Sequence, residues 1–333
     1  MNRLRLAVGA VIAVALVSTV ALQADIRMQE RTQTKFEGMM GRMSGLFGGK
    51  AVKEGIVATV AVKGPRKARL TETGGEIIDL SEERVYTLDM RNKTYTVQTF
   101  AEIRKQFEEM AQKSQEQMRK SKTGREPSEG PDMEIEVRAK ETGQRKSING
   151  FDCRQVITTI TAHEKGKTLE QGGGLVVTAD TWLGPRIPAM KEIADFDLRY
   201  MRAIQSPAMA DAAAQMAQAM AMYPGLQQAM TKLQTDKVNM DGAPILTTVT
   251  VQSVPNPQQA AQAEEGRPAG RGGIGDLLGR FGRQKPAEGG ATPVSADAPK
   301  GAATFMTTIT EILSVTPAAS ETDVAIPAGF KQR

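Results

Sequence analysis

Alternation of apolar and polar residues is clearest between Gly75 and Met118. Three short runs rich in Val, Ile, Thr and Tyr occupy residues 75–80, 81–90 and 91–100, with polar turns between them. Such runs predict strands. A helix is predicted from Phe100 to Lys120, because its apolar residues recur at the spacing of helical turns and because Thr99 and Glu102 can form a capping box at its start. That apolar stripe comprises Phe100, Ile103, Phe107, Met110 and Met118.

Further alternating runs predict strands on both sides of this stretch. They cover residues 25–36, 55–63, 66–72, 132–142, 144–148, 151–162, 175–183, 244–254 and 303–315. Gly64-Pro65 and Gly74-Gly75 are predicted turns. Asn149-Gly150 and Asp241-Gly242 are the residue pairs favoured in two-residue type I′ hairpins.

Two more helices are predicted in the second half of the chain. One opens at Pro185 and Pro188 and runs through Gln205, with an apolar face of Met190, Ala194, Leu198 and Met201. The other covers residues 208–235, broken near Pro224-Gly225, and its first half is rich in Ala and Met. The Met-rich segment 37–53 is predicted to be a loop, with a flap that repacks on a ligand as the alternative.

The pattern divides the chain into three parts. Residues 1–24 combine two arginines, an apolar run and a small residue at position 24, which predicts a secretory signal peptide. An uncleaved anchor helix is the alternative. Residues 255–300 are rich in Pro, Gly, Ala and Gln, which predicts a disordered insert. Residues 25–254 and 301–333 are then one α+β domain, since long surface insertions cost little entropy. Strands 244–254 and 303–315 are predicted to pair antiparallel across the insert, and residues 326–331 to form a compact docking tail.

Composition argues against several classes of function but does not identify one. The net charge is +5 over 333 residues, too mild to favour nucleic acid as a partner. One cysteine and one histidine exclude an intramolecular disulfide and the usual zinc or haem spacings. We therefore expect no cofactor and no metal.

Neither of these two residues predicts catalysis. Cys153 lies in a predicted strand and is interpreted as a small buried hydrophobic residue. His163 follows at the strand end, where a general base is the alternative to a structural role, but no nucleophile motif accompanies it. The basic run of Arg66, Lys67 and Arg69 is interpreted as a solvated strand face. We expect a protein that is not an enzyme.

Several short motifs together resemble a bacterial envelope domain family related in shape to the LolA/LolB-type lipoprotein carriers. They are Val85-Tyr86 with Lys93-Thr94-Tyr95, Phe100 at the head of its helix, 148–153 (INGFDC), Trp182 before a helix, and 326–331 (IPAGFK). The resemblance implies a curved antiparallel sheet, a half-barrel, wrapped around helices. In the carriers the concave face holds acyl chains.

Two functions are compatible with these expectations. The first is a periplasmic or secreted protein that binds a hydrophobic ligand, such as a lipid or a lipoprotein acyl chain. The second is a structural or interaction protein of the envelope whose core is filled by its own helices. Both lack a stable transmembrane segment once the signal is cleaved. The predicted ligand-binding residues on the concave face are Phe100, Ile103, Phe107, Met110, Trp182, Met216 and Met220.

Overall fold

The protein is built on an open, curved sheet of 12 strands, seen in a computed structural model. The structure describes residues 25–37, 54–122, 133–221, 238–256 and 302–333. Its strands are β1 (Ile26–Phe36), β2 (Ile56–Lys63), β3 (Arg66–Thr71), β4 (Gly74–Asp79), β5 (Arg84–Asp89), β6 (Thr94–Thr99), β7 (Met133–Ile148), β8 (Phe151–Glu164), β9 (Gly174–Leu183), β10 (Pro244–Val254), β11 (Ala303–Thr316) and β12 (Lys331–Gln332). Its helices are α1 (Phe100–Lys122), α2 (Leu169–Gly172), α3 (Met190–Ile204) and α4 (Pro207–Ala221), with a 3-10 turn at Glu321–Val324.

The strand order across the sheet is β12-β6-β5-β4-β3-β2-β1-β11-β10-β9-β8-β7. Every pairing is antiparallel except that of β12 with β6. Among the described strands, β12 and β7 are the two outer ones and do not pair with each other, so the sheet is open. The predicted α+β class, with a curved antiparallel sheet and helices, is confirmed.

Strands β4, β5 and β6 form the predicted meander, and its two turns repeat one design. Asp79 and Asp89 start them, and each carboxylate accepts the backbone N–H groups two and three residues later. Glu83 and Lys93 then take a positive φ of 51°. Aspartate side chains that accept hydrogen bonds from backbone N–H groups a few residues later favour such turns.

One face of the first half of the sheet packs against helices. A cross-strand row runs through Ile26, Val62, Lys67, Ile78 and Val85. Its four apolar members belong to a buried cluster that also contains residues of α1 and α3. Helix α3 lies against β1 and β2, and α1 lies against α3 and α4.

The opposite face is covered by the end of the chain. Here the cross-strand row is Ala61, Ala68, Ile77 and Tyr86. The C-terminal segment packs on it through Ala319, Val324, Ile326 and Phe330. The predicted docking tail at 326–331 is therefore confirmed, and it begins earlier than predicted.

The predicted pairing of the strands flanking the insert is also confirmed. Strand β10 pairs with β11 in antiparallel register, although residues 257–300 of the insert lie outside the described residues. The Asn149-Gly150 hairpin joins β7 to β8, with φ of 50° and 84° at the two residues. The Asn149 side chain donates to the Glu311 carboxylate and to the Ile312 carbonyl oxygen, at 2.9 and 2.8 Å.

Two predicted turns are wrong. Gly74 and Gly75 lie inside β4, and the turn falls just before them. Asp241 does not adopt the positive φ of a type I′ turn, and only Gly242 does, with φ of 122°. A Cβ on Gly242 would lie 2.3 Å from the carbonyl oxygen of Gly184, so close backbone approach explains this glycine.

Several predictions fall outside the described residues. These are the signal peptide at 1–24, the flap at 38–53, the helical residues 222–235 and most of the insert at 255–300. Within the described part of the chain, no helix is long and apolar enough to cross a membrane.

Candidate functional site

Helix α1 is fixed to the sheet by its first turn. Thr99 and Glu102 form the predicted capping box, in which the Glu102 carboxylate accepts the Thr99 N–H at 2.8 Å and the Thr99 hydroxyl accepts the Glu102 N–H at 3.2 Å. Such boxes satisfy backbone donors that a helix start leaves unpaired. Phe100 follows at once and is fully buried. The cap thus places this ring at the centre of the helix–sheet layer.

Phe100 meets helix α3 through an aromatic contact. Its ring lies edge-on to that of Tyr200, with centroids 5.3 Å apart. Burial raises the pKa of the Tyr200 phenol, and the carboxylate of Glu76 raises it further. Arg104, one turn beyond Phe100, donates to the Ala203 carbonyl oxygen at 2.6 Å. A cation at the carboxyl end of α3 is favoured by the helix dipole.

Lys67 joins this layer to the sheet. It stands in the middle of an otherwise apolar cross-strand row, and its ammonium group donates to Asp197 of α3 at 2.5 Å. The Lys67 side chain is only 16% exposed, so an unpaired charge there would be costly. The pair anchors one side of α3 on the sheet.

The sequence suggested that the basic run containing Lys67 is a solvated strand face. In the structure, its side chains are paired with carboxylates. Arg66 donates to Asp79 at 2.6 Å, and Arg69 donates to Glu30 at 3.0 Å. Each of the three cations has a carboxylate partner. The run therefore ties strands and helix together.

Large apolar side chains remain exposed on the two long helices of this layer. Met110 of α1 is 56% exposed, and Leu198 and Met201 of α3 are 55% and 49% exposed. Leu198 and Met201 belong to the apolar face predicted from the sequence, of which Met190 packs against the core, but most of the buried side chains of α3 lie on a different face. The buried face includes Ile193, Phe196, Tyr200, Ala203 and Ile204. Helix α3 is therefore apolar on two sides, and only one of them is covered by described residues.

The structure unites three of the predicted ligand-binding residues. Ile103 and Phe107 pack against the cluster that contains Phe100, whereas Met110 lies on the exposed part of the same helix. Met216 and Met220 lie on α4, which packs beside α1, but their side chains are outside those described. The sequence did not identify Tyr200 and Phe196, whose spacing to Ile193 gives the stronger apolar stripe.

Trp182 lies in a second cluster, with Cys153, Ile245 and Ile312. Its ring is 7% exposed, and the ammonium of Lys146 lies 3.8 Å from the ring centroid. Burial raises the pKa of the Cys153 thiol, so this side chain is a neutral apolar group at pH 7. The predicted burial of Cys153 is confirmed.

Ile187, Met190, Ile193 and Val315 pack on both this cluster and the Phe100 cluster. They connect the two halves of the core. Trp182 is not a member of the Phe100 cluster, but residues of α3 that contact both clusters connect it to α1.

His163 is buried at the end of β8. Its Nδ1 lies 3.1 Å from the Glu164 carbonyl oxygen, and its Nε2 lies 4.0 Å from the Glu136 carboxylate. Across the residues that the structure describes, no three His, Cys, Asp or Glu side chains gather where they could hold a metal ion.

The chain matches no known protein family, no curated protein and no solved structure in the comparisons made with it. The resemblance to the lipoprotein carriers therefore stays a prediction from short motifs.

Proposed function

We propose that this chain is a non-enzymatic binding protein of the bacterial envelope, periplasmic or secreted, that takes a hydrophobic ligand beside α1 and α3. A lipid or a lipoprotein acyl chain has the chemistry that this surface fits. The observation that carries the proposal is the exposure of Met110, Leu198 and Met201, each about half exposed, on helices that border one buried cluster. Exposed apolar groups of this size often mark binding sites.

The adaptable chemistry of this surface supports a flexible apolar ligand. Methionine side chains are unbranched and polarizable, and they repack around irregular shapes. Met110 and Met201 supply such groups. Lys67 and Asp197 tie α3 to the sheet one turn before Met201, so the exposed side chains can adapt while the helix stays fixed.

Titration of the full chain with a fluorescent fatty acid, and separately with a diacylated lipopeptide, tests this proposal. We expect saturable binding that the double variant Leu198→Ser/Met201→Ser weakens by at least about tenfold, since burying each side chain contributes about 1 kcal/mol or more. Met240→Ser is the matched control, because Met240 is 48% exposed and lies outside this layer. Flat titrations with both probes, or equal losses in both variants, would refute the proposal.

A second function is supported by a different observation. Phe100 is fully buried, and Ile103 and Phe107 pack with it against the protein's own Tyr200 and Phe196. A core filled in this way suits a structural or interaction protein of the envelope that needs no small ligand. Flat lipid titrations, combined with recovery of a stable envelope partner that the Leu198→Ser/Met201→Ser variant loses, would favour it.

A further inference from the structure

Strand β7 forms one edge of the sheet, and its charges follow an unusual order. Among the described residues, β8 is the only strand paired with it. Along one face of β7 the successive side chains are Glu134, Glu136, Arg138 and Lys140, two acids followed by two bases. The Glu136 carboxylate and the Arg138 guanidinium lie 2.8 Å apart, as expected for side chains on the same face.

This order is complementary to itself. If a second β7 is laid antiparallel with a two-fold axis at Val137, Glu134 faces Lys140 of the other copy and Glu136 faces Arg138. All four cross-strand pairs then join opposite charges, and such pairs stabilise antiparallel strands. A shift by two residues in either direction would place like charges opposite each other at one or more positions.

The geometry of β7 limits pairing to the stretch centred on that residue. The register with β8 is continuous from Met133 to Glu141 and is interrupted between Glu141 and Arg145. Gly143, with φ of 78°, lies in the interruption. The regular stretch of nine residues, 133–141, has Val137 at its middle. The charge pattern and the backbone therefore indicate the same axis.

The other face of β7 is apolar in this stretch. Ile135, Val137 and Ala139 alternate with the charged residues. Val137 lies opposite Ile160 of β8, and the Ile160 side chain is 39% exposed. A two-fold axis at Val137 would bring Ile160, Val137 and their two copies into one apolar row across four strands.

We propose that β7 is a self-association edge, through which two copies of this chain pair antiparallel about Val137 to form one continuous sheet. The partner is a second copy of the chain, because its own charge order, read backwards, matches all four positions. Nine paired residues supply about nine backbone hydrogen bonds. The two charged pairs on each side of the axis fix the register.

Analytical ultracentrifugation of the full chain at low salt tests the association. We expect a reversible species of twice the 35.9 kDa chain mass. Arg138→Glu should raise the dimer Kd by at least about tenfold, because it places two acids opposite each other at two symmetric positions. The double variant Glu136→Arg/Arg138→Glu exchanges the charges and should restore the dimer.

A matched control uses a charge reversal far from this edge. Lys105→Glu changes an exposed side chain of α1 that is 76% exposed, and it should leave the Kd unchanged. A chain that sediments as a monomer at every concentration would overturn the proposal. So would a dimer that resists Arg138→Glu, or a double variant that stays monomeric while its circular dichroism is unchanged.

Cysteine pairs test the register directly. Glu136→Cys and Arg138→Cys chains, mixed and mildly oxidised, should form a disulfide-linked dimer, since the two positions face each other across the axis. Each variant alone should cross-link far less, because its two cysteines would be offset by two residues along the strands. Native Cys153 is buried, at 2% exposure. Equal cross-linking in the single variants and in the mixture would rule out this register.

Discussion

Replacement of Asp79 by asparagine removes a buried charge while keeping the size of the side chain. The Asp79 side chain is fully buried and accepts hydrogen bonds from Arg66 Nε at 2.6 Å, Ser81 Oγ at 2.5 Å, and the backbone N–H groups of Ser81 and Glu82 at 2.8 and 3.0 Å. Burial alone would raise the pKa of Asp79, but the bonds from Ser81, Glu82 and Arg66 lower it. The charged form is therefore stabilised by folding.

The expected loss of stability follows from these contacts. The asparagine carbonyl can still accept from Ser81 and Glu82, but its amide N–H₂ would then face the Arg66 donor. Hydrogen bonds to charged groups contribute about 1.5–3 kcal/mol each, and breaking a buried pair costs about 3–5 kcal/mol. Arg66 is 36% exposed and can turn to water. We therefore expect a loss of about 2–3 kcal/mol, or roughly 5–10 °C in Tm.

Urea unfolding followed by circular dichroism measures this loss, with Asp89→Asn as the matched control. Asp89 occupies the equivalent turn position and accepts from the N–H groups of Arg91 and Asn92, but these bonds are exposed, and its second carboxylate oxygen accepts from the Asn92 side-chain amide where Asp79 accepts from an arginine. We expect a clearly smaller loss for Asp89→Asn. Equal losses in the two variants, or a loss under about 0.5 kcal/mol for Asp79→Asn, would refute the reasoning.

The pH dependence gives a second check on Asp79. Because folding lowers the pKa of Asp79, its charge stabilises the protein above the unfolded value of about 3.9. This contribution is lost as the pH falls through the lower folded pKa. The stability difference between the parent chain and Asp79→Asn should therefore be largest near neutral pH and shrink in acid. A difference that stays constant down to pH of about 2 would contradict the assignment.

Three further substitutions or truncations test other parts of the fold. Phe100→Ala should cost about 3–5 kcal/mol, because it empties a fully buried site, whereas Met110→Ala, at an exposed position, should change stability by no more than about 0.5 kcal/mol in urea unfolding. Asn149→Ala should lower Tm more than Asn149→Gly, since both lose the bonds to Glu311 and Ile312 but only alanine is strained at φ of 50°. Removal of residues 318–333 should increase binding of an apolar dye and lower Tm, because it uncovers Ile77 and Tyr86.

The strands and the helix around Phe100 were predictable because local signals agreed there. Period-two alternation, the capping box at Thr99 and the apolar stripe all pointed to the same elements, and the long-range pairing of β10 with β11 followed from matching patterns on either side of the insert. A fold is easier to predict from sequence where the local preferences of the residues agree with the tertiary structure. The turn at Asn149-Gly150 was predictable for the same reason.

The sequence failed where tertiary contacts decide between equal local choices. Helix α3 has two apolar faces, and only packing on β1 and β2 selects the one with Phe196 over the one with Leu198. Gly242 looked like a hairpin residue, but contact with the Gly184 carbonyl explains it. The partners of Arg66, Lys67 and Arg69 come from three different elements, so a charge run could not reveal them. The buried cluster therefore needed the structure, although most of its members lie in predicted elements.

The two edges of the sheet are managed in different ways. At the β6 edge, the C-terminus adds β12 in parallel, and the Arg333 N–H donates to the Tyr95 carbonyl oxygen at 2.9 Å. At the β7 edge, no further described strand is paired. Its charged side chains and the interruption of its register are features that commonly protect a sheet edge from aggregation. Charged side chains of a single sign would be enough to protect the edge, because identical copies would then repel each other. An edge that orders two acids before two bases about the middle of its regular stretch pairs opposite charges at all four positions in one register. A shift of two residues leaves two such pairs and adds one pair of like charges, so a contact between two copies is most favourable in that one register.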